Sequence, residues 1–237
     1  MILFLRSLLF SVYMITSIIV VTIINLLMFY IPYKNRAFLL KYWSKSLIAV
    51  YKFLCQVKIN IHGLENIPDT PCLIFSKHQS TLETLILQTI FVPHVWIIKR
   101  ELTWVPFFGW SVLLSKPIAI NRSDAKGSLR KIMELGTERL KDGFWVFIFP
   151  EGTRNPVGER AKHKIGGAKL AHRSGFDILP IALNTGIVWP RGQFTKLPGT
   201  VDIVIGEVMT SKDKSVKEIL RETEDWIETE SLKLVNK

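Results

Sequence analysis

Short apolar runs recur along most of the chain, and longer stretches with helical periodicity separate them. The runs that predict β-strands lie at residues 57–61, 72–76, 95–98, 144–149, 178–183 and 201–205. Residues 72–75 and 144–149 are apolar throughout, which is typical of central strands covered on both faces. The runs at 57–61 and 201–205 alternate between apolar and polar residues, which indicates edge strands.

Helical periodicity predicts helices at residues 81–90, 108–114, 124–141, 167–174 and 216–235. The helix at 124–141 is well marked, because Ser123 is placed to cap its first turn and Gly143 follows its last. Strands that alternate with helices in this way predict an α/β fold. We expect a mostly parallel or mixed central sheet flanked by helices.

The N-terminal segment predicts a membrane helix, because no charged residue occurs between Arg6 and Lys34, roughly 27 positions, and a span needs about 20. The apolar region is too long for a cleaved signal peptide, so we expect the helix to be retained. Basic residues follow it at Lys34, Arg36, Lys41 and Lys45. The positive-inside rule therefore predicts that the rest of the chain lies on the cytoplasmic side, and we expect the membrane to be the cell (inner) membrane.

Residues 37–56 predict a second helix, in which apolar positions alternate with Lys41, Lys45 and Lys52. Two interpretations stay open: an amphipathic helix at the membrane interface, or an ordinary helix packed on the core. The predicted domains are thus the membrane-associated helices at 1–56 and a cytoplasmic α/β domain at 57–237.

Charge and length narrow the possible functions. Lys and Arg outnumber Asp and Glu by 31 to 20, and a net charge of +11 favours membrane surfaces, phosphate-bearing ligands or nucleic acid. The basic residues are scattered among apolar strands, so we expect no nucleic-acid partner. A chain of 237 residues holds one α/β domain with an appendage, which predicts a single active site.

Two classes of site are disfavoured by residue spacing. The histidines at positions 62, 94, 163 and 172 have no ligand spacing to carboxylates or thiols, so we predict no metal site. The motif G-x-S-x-G is absent, which disfavours a serine hydrolase. Cys55 and Cys72 are the only cysteines, as expected of a reducing compartment.

The first candidate site lies at residues 76–83, where a predicted strand ends and a helix begins, the place where α/β folds bind ligands. His78 and Glu83 are five positions apart, so they meet only if His78 lies in the loop before the helix. Ser80 and Glu83 form a capping box that starts the helix there. Glu83 either caps its own helix only, or orients the imidazole of His78 as a general base for a hydroxyl.

Cationic residues follow two other predicted strands and also the run of residues 117–121. Arg154 ends the sequence FPEGTR at 149–154, where Pro150 stops the strand and Gly152 permits a tight turn. Its guanidinium suits a phosphate, although a solvated arginine in a β-turn fits equally. Lys99 and, more weakly, Arg122 occupy similar positions.

An aromatic, turn-rich segment at residues 106–110 follows Lys99. Together with the cations it suggests a site for a phosphate beside an apolar chain. Each feature alone also has an ordinary structural interpretation. A charged residue after a strand can simply be solvated, and a cluster of aromatic residues can belong to the core.

Four motifs occur in a fixed order: His78 with an acid at 83, Lys99-x-Glu-Leu with the segment 106–110, FPEGTR at 149–154, and ILPIA at 178–182. In this order they resemble the blocks of the glycerolipid acyltransferase family, most closely its bacterial 1-acylglycerol-3-phosphate acyltransferases. The resemblance covers about residues 57–208.

The resemblance implies transfer of an acyl group from acyl-CoA or acyl-carrier protein to the sn-2 hydroxyl of lysophosphatidic acid, which gives phosphatidic acid. It implies no cofactor, and membrane lipids as partners. By this resemblance His78 is the general base and Glu83 its orienting acid. The family's acid is usually Asp, so the extra methylene of Glu83 puts the hydrogen-bond geometry in doubt.

The resemblance also assigns substrate contacts. Lys99 and Arg154 match the positions that grip the substrate phosphate, and Arg122 is a weaker member of the same group. The residues that shape the acceptor site are Glu151, Gly152 and Thr153. Residues 178–182 resemble the block on the acyl-donor side. Two alternatives remain: another lysolipid acceptor, such as a lyso-aminolipid, or a non-catalytic protein that binds membrane lipids.

Overall fold

A computed structural model describes residues 1–235 of the chain. Its seven strands are β1 (Val57–His62), β2 (Leu73–Ser76), β3 (His94–Lys99), β4 (Ile118–Ile120), β5 (Trp145–Ile148), β6 (Ile178–Leu183) and β7 (Gly199–Ile205). They form one sheet in the order β1-β7-β6-β2-β5-β3-β4. All neighbours are parallel except β6 and β7, so the predicted mostly parallel or mixed sheet is confirmed.

Helices flank the sheet and form the N-terminal region. They are α1 (Ile2–Leu27), α2 (Tyr33–Arg36), α3 (Phe38–Cys55), α4 (Leu82–Ile90), α5 (Phe108–Leu114), α6 (Ala125–Lys141), α7 (Gly166–Ser174) and α8 (Val216–Lys233). Short 3₁₀ helices occur at Leu64–Asn66, Arg100–Trp104 and Thr185–Ile187. The last two residues of the predicted domain at 57–237 lie outside the described residues.

The buried strands lie where their composition predicts. Both β2 and β5 are central in the sheet. Their side chains are buried throughout, because helices cover both faces of the sheet. The edge prediction is correct for β1 and wrong for β7, which lies between β1 and β6. The side chains of β7 alternate because one of its faces is only partly covered, although the strand is paired on both sides.

Two local features of the structure differ from what the sequence predicted. Strand β4, with three residues, was not predicted, because so short a run shows no periodicity. The cap of α6 is Asp124 rather than Ser123, because the Asp124 carboxylate accepts from the main-chain N–H of Gly127 at 2.8 Å. The Ser123 hydroxyl instead donates to the side chain of Asn121.

Helix α1 is long and apolar enough to cross a membrane, and only 22% of its most hydrophobic window is buried. It also contacts the rest of the protein near both ends. The Ser7 hydroxyl accepts from the main-chain N–H of Lys196 at 2.8 Å, and the Thr22 hydroxyl donates to the carbonyl of Phe107 at 3.1 Å. The helix is therefore held against the α/β part of the molecule and is exposed on its other side.

Helix α3 has one buried and one exposed face. Leu47 and Tyr51 are fully buried in the same core as β1 and β7, so the core-packing interpretation holds for the inner face. On the outer face Tyr42 is 62% and Phe53 is 83% exposed, among the lysines. The predicted division between residues 56 and 57 stays a prediction.

Candidate active site

His78 lies in the loop between β2 and α4, the position that a contact with Glu83 requires. Strand β2 ends at Ser76, and α4 begins at Leu82. The main-chain N–H of His78 donates to Glu151 Oε1 at 2.6 Å, and its carbonyl accepts from the main-chain N–H of Asn155 at 2.9 Å. Both contacts come from the turn that follows β5, so the ends of the two central strands lie together.

The Glu83 carboxylate both caps α4 and orients His78. Its Oε1 lies 2.8 Å from His78 Nδ1 and also accepts from the main-chain N–H groups of Gln79 and Ser80, at 2.9 and 2.7 Å. Because an ionised carboxylate only accepts, the proton of this contact lies on Nδ1. Helix capping and orientation of the imidazole therefore occur together, and the extra methylene of Glu83 is accommodated. The role of His78 as a general base stays a prediction.

The helix start differs slightly from the capping-box prediction. The N-cap residue is Thr81, and the hydroxyl of Ser80 accepts from the main-chain N–H of Leu82 at 3.1 Å. Helix α4 thus begins one residue later than predicted. Glu83 still accepts from Ser80, so the capping contact itself is present.

Two residues to which the sequence patterns gave no role complete the surroundings of the His78–Glu83 pair. The hydroxyl of Thr185, two residues after the end of β6, donates to Glu83 Oε2 at 2.6 Å. The ring of Phe149, after β5, stacks on the imidazole with ring centroids 3.8 Å apart. Their position at strand ends was the available signal, but no spacing linked either residue to His78. Together they hold the carboxylate and the imidazole ring from two further sides.

A cavity of about 620 Å³, called here the site cavity, opens beside His78. Its apolar wall comes from α1, α3 and the aromatic segment, and includes Ile15, Ile18, Trp43, Phe107 and Phe108. Its cationic side chains are Lys99, Arg122, Arg154 and Lys164. Lys99 and Arg154 were predicted from strand ends and Arg122 from its place after residues 117–121, whereas Lys164 was not predicted.

The imidazole of His78 is 13% exposed and faces the site cavity. Because Nδ1 contacts Glu83, Nε2 is the ring nitrogen available to a group in the cavity. The cavity thus combines a potential proton acceptor, several cations and an apolar wall.

The cations differ in their surroundings. Burial lowers the pKa of the Arg154 guanidinium, while the negative charge of Glu83 acts in the opposite direction. Lys99 is about half exposed, and its ammonium lies 3.8 Å from Glu101, a weak surface pair that leaves it available to an anion. Both cations therefore favour an anionic group beside His78.

Residues of the turn after β5 face two environments: some line the site cavity and others face the protein interior. Gly152 lines the cavity with φ near +72°, and a Cβ there would lie 2.7 Å from the Lys164 ammonium, so glycine allows Lys164 to cross the turn. Thr153 and Glu151 do not line the site cavity, in contrast to the contacts that the resemblance implied. Thr153 is exposed on the turn, and Glu151 is buried and contacts the main chain of His78.

The block at residues 178–182 also differs from its expected position. It lies in β6, is wholly buried, and contributes no side chain to the lining of the site cavity. The strand pairs with β2 and leads to Thr185. Its contact with the site is therefore indirect. Among residues 1–235, no group of three or more His, Cys, Asp or Glu side chains is arranged to hold a metal ion.

Comparison with known proteins connects this geometry to a family. A family model described as Acyltransferase matches residues 58–184. The 1-acyl-sn-glycerol-3-phosphate acyltransferase of Pseudomonas aeruginosa is 43% identical over 201 residues, which cover 83% of this chain and 78% of that protein. A chloroplastic 1-acyl-sn-glycerol-3-phosphate acyltransferase of Arabidopsis thaliana is 36% identical over 68% of this chain, which spans 45% of that longer relative.

A solved structure shares the fold. The crystal structure of the 1-acyl-sn-glycerophosphate acyltransferase PlsC from Thermotoga maritima matches with a TM-score of 0.78 and 24% identity. The match covers 98% of this chain and 95% of that one. The helices that precede the sheet are therefore part of the shared architecture.

Proposed function

Because the chain belongs to the acyltransferase family, we propose that this O-acyltransferase transfers a fatty acyl group from a thioester donor to the sn-2 hydroxyl of lysophosphatidic acid. The product is phosphatidic acid. The observation that supports this most strongly is that His78, four cations and an apolar wall share one cavity. Such a cavity suits an amphiphile with a phosphate headgroup and a hydroxyl near the imidazole.

In the proposed mechanism, His78 Nε2 accepts the proton of the sn-2 hydroxyl as its oxygen attacks the thioester carbonyl. The new C–O bond forms, the C–S bond breaks, and the proton passes from the imidazolium to the departing thiolate. Glu83 stabilises the imidazolium and fixes its orientation through Nδ1. A base in this position accelerates such a step by roughly 10²- to 10⁴-fold.

The cations bind the acceptor and position its hydroxyl. Arg154 and Lys99 contact the phosphate, and Arg122 and Lys164 also line the cavity. Fixing the headgroup makes the attack effectively unimolecular, which is a large part of enzymatic rate enhancement. The apolar wall formed by α1 and α3 accommodates an acyl chain, and the protein acts at the membrane that holds its substrate.

The proposal also specifies the acyl donor, the side of the membrane on which the catalytic part lies, and whether a cofactor takes part. The donor is acyl-CoA or acyl-carrier protein, since both present the thioester that the reaction requires. The catalytic part lies on the cytoplasmic side of the inner membrane, as the basic residues after α1 indicate. No cofactor takes part, because a thioester is already activated towards attack.

The proposed acceptor is tested by offering the purified protein a panel of lysolipids with a fixed acyl donor and measuring thiol release. Lysophosphatidic acid should be used at least about tenfold more efficiently than a lyso-aminolipid, because a zwitterionic headgroup gains less from four cations. Equal use of the two acceptors would contradict the proposed headgroup. If no acceptor of the panel leads to thiol release, the protein is a non-catalytic lipid-binding protein.

Replacing Arg154 with methionine should raise the KM for lysophosphatidic acid by about 10- to 100-fold, the equivalent of one charged hydrogen-bond pair. Arg154→Lys should show a smaller rise, since it keeps the charge and loses the planar fork. Arg173→Met, on the exposed side of α7, is the matched control and should leave the KM unchanged. An unchanged KM in Arg154→Met would remove Arg154 from the phosphate site.

A further inference from the structure

Lys77, the residue before His78, is a buried cation outside the site cavity. Its side chain is 1% exposed, and its ammonium lies 2.7 Å from Glu228 Oε2 and 3.3 Å from Glu151 Oε2. It also donates to the carbonyl of Glu159 at 3.3 Å. A buried ammonium is costly unless it is fully paired, so this arrangement depends on all three partners.

Glu228 links this cation to the C-terminal helix α8. Its Oε2 also accepts from the main-chain N–H of Ala161 at 3.0 Å, and its Oε1 lies 3.0 Å from His163 Nε2. Burial alone would raise the pKa of Glu228, but the hydrogen bonds from His163 and Lys77 outweigh it and lower the pKa. Glu228 is therefore a fully bonded buried anion that determines the position of the Lys77 ammonium.

Glu151 connects Lys77 to the proposed base, because its carboxylate contacts both Lys77 and His78. Its Oε2 faces the Lys77 ammonium and accepts from the side chain of Asn155, while its Oε1 accepts from the main-chain N–H of His78 at 2.6 Å. Burial raises the pKa of Glu151, and the charge of Lys77 opposes this. The contacts thus run without a gap from Glu228 through Lys77 and Glu151 to the main chain of His78.

We propose that Glu228 is a positioning residue for acyl transfer, acting on the main chain of His78 through Lys77 and Glu151. This inference rests on the proposed function of His78 as the base. Without the Glu228 charge, Lys77 moves towards Glu151 and competes for the oxygens that hold His78. Because a misplacement of about 1 Å in a catalytic group costs roughly 10²-fold in rate, a distant residue then affects the chemical step.

The test is Glu228→Gln, which keeps the size of the side chain and removes its charge. The kcat should fall about 10- to 100-fold, while the KM for lysophosphatidic acid changes less than about threefold, because Glu228 does not line the site cavity. Asp225→Asn, one turn earlier on α8, removes an exposed pair with Arg160 and is the matched control. It should leave kcat unchanged.

A double-mutant cycle separates positioning from general damage. If Glu228 acts through Lys77, the double variant Lys77→Met, Glu228→Gln should lose no more kcat than Lys77→Met alone. Multiplicative losses would overturn the proposal. So would Glu228→Gln with wild-type kcat and only a lower melting temperature.

Glu228→Asp tests the same inference if Glu228→Gln does not fold. It keeps the charge but withdraws the carboxylate by one methylene, so the Lys77 ammonium that pairs with it should still be displaced. A kcat between those of the wild type and Lys77→Met, with an unchanged KM, supports the proposal, and wild-type kcat overturns it. If the wild-type protein itself releases no thiol with any acceptor, the proposed function has failed. If the wild type is active and the Glu228 variants match it, only this inference has failed.

Discussion

His78→Ala is expected to lower kcat for acyl transfer by about 10²- to 10⁴-fold, the range that a positioned general base contributes. The reason is that His78, the proposed proton acceptor, faces the site cavity, and its ring is held by Glu83 and Phe149. The measurement is the initial rate of thiol release from an acyl donor at saturating lysophosphatidic acid, with equal amounts of wild type and variant.

The same preparations supply the controls for His78→Ala. His78→Gln keeps a polar side chain of similar length but transfers no proton, so its rate should fall as far as that of the alanine variant. Far-ultraviolet circular dichroism and thermal unfolding should show that both variants fold, since the imidazole is partly exposed and its removal leaves the strands intact. A variant that folds and turns over at more than about a tenth of the wild-type rate would rule out the base.

Glu83→Gln is expected to lower kcat by about 10³- to 10⁴-fold, as replacement of the acid does in a catalytic triad. The Glu83 carboxylate accepts from His78, from Thr185 and from the main chain at the start of α4. A neutral amide has only one accepting oxygen, so it cannot satisfy all these donors and no longer stabilises the imidazolium. The effect should appear in kcat, with little change in acceptor KM.

Glu83→Asp is the informative partner of Glu83→Gln. It keeps the charge but shortens the side chain by one methylene, so it should retain more activity than the glutamine variant. Glu134→Gln, on the exposed side of α6, controls for the loss of a carboxylate and should have wild-type kcat. If Glu83→Gln lowers the melting temperature but not kcat, Glu83 serves only as a helix cap.

The fold class and the position of His78 followed from the sequence because both depend on local patterns. Apolar runs identified β2 and β5, and parallel strands bring their carboxyl ends to one edge of the sheet. The spacing of His78 and Glu83 stated the condition for their contact, namely a helix that starts between them. The spacing left open whether Glu83 caps the helix or orients the histidine. In the structure, the Glu83 carboxylate makes both contacts.

The remainder of the site was not predictable, because its contacts join distant parts of the chain. No local pattern places Thr185 on Glu83 or Glu228 on Lys77, since the sheet order and the packing of α8 bring them together. Lys164 was missed for a related reason: its position depends on how the loop after β5 folds back over Gly152.

Glu151 shows the limit of assigning residues by motif. The FPEGTR sequence correctly located a turn at the site, and Arg154 of this turn faces the cavity. Glu151, three positions earlier, is turned to the interior, where Lys77 and the main chain of His78 bind its carboxylate. The motif thus marks a structural element, whereas the direction of each side chain depends on burial.

The most direct measurement of the central claim compares thiol release from acyl-CoA or acyl-carrier protein under three conditions. The purified protein is given lysophosphatidic acid, its analogue with hydrogen in place of the sn-2 hydroxyl, or no acceptor. A base at His78 that activates a bound alcohol predicts release only with lysophosphatidic acid, in equal amount to the phosphatidic acid formed. Equal release under all three conditions would contradict the account, because the attacking group would then be water or a protein side chain.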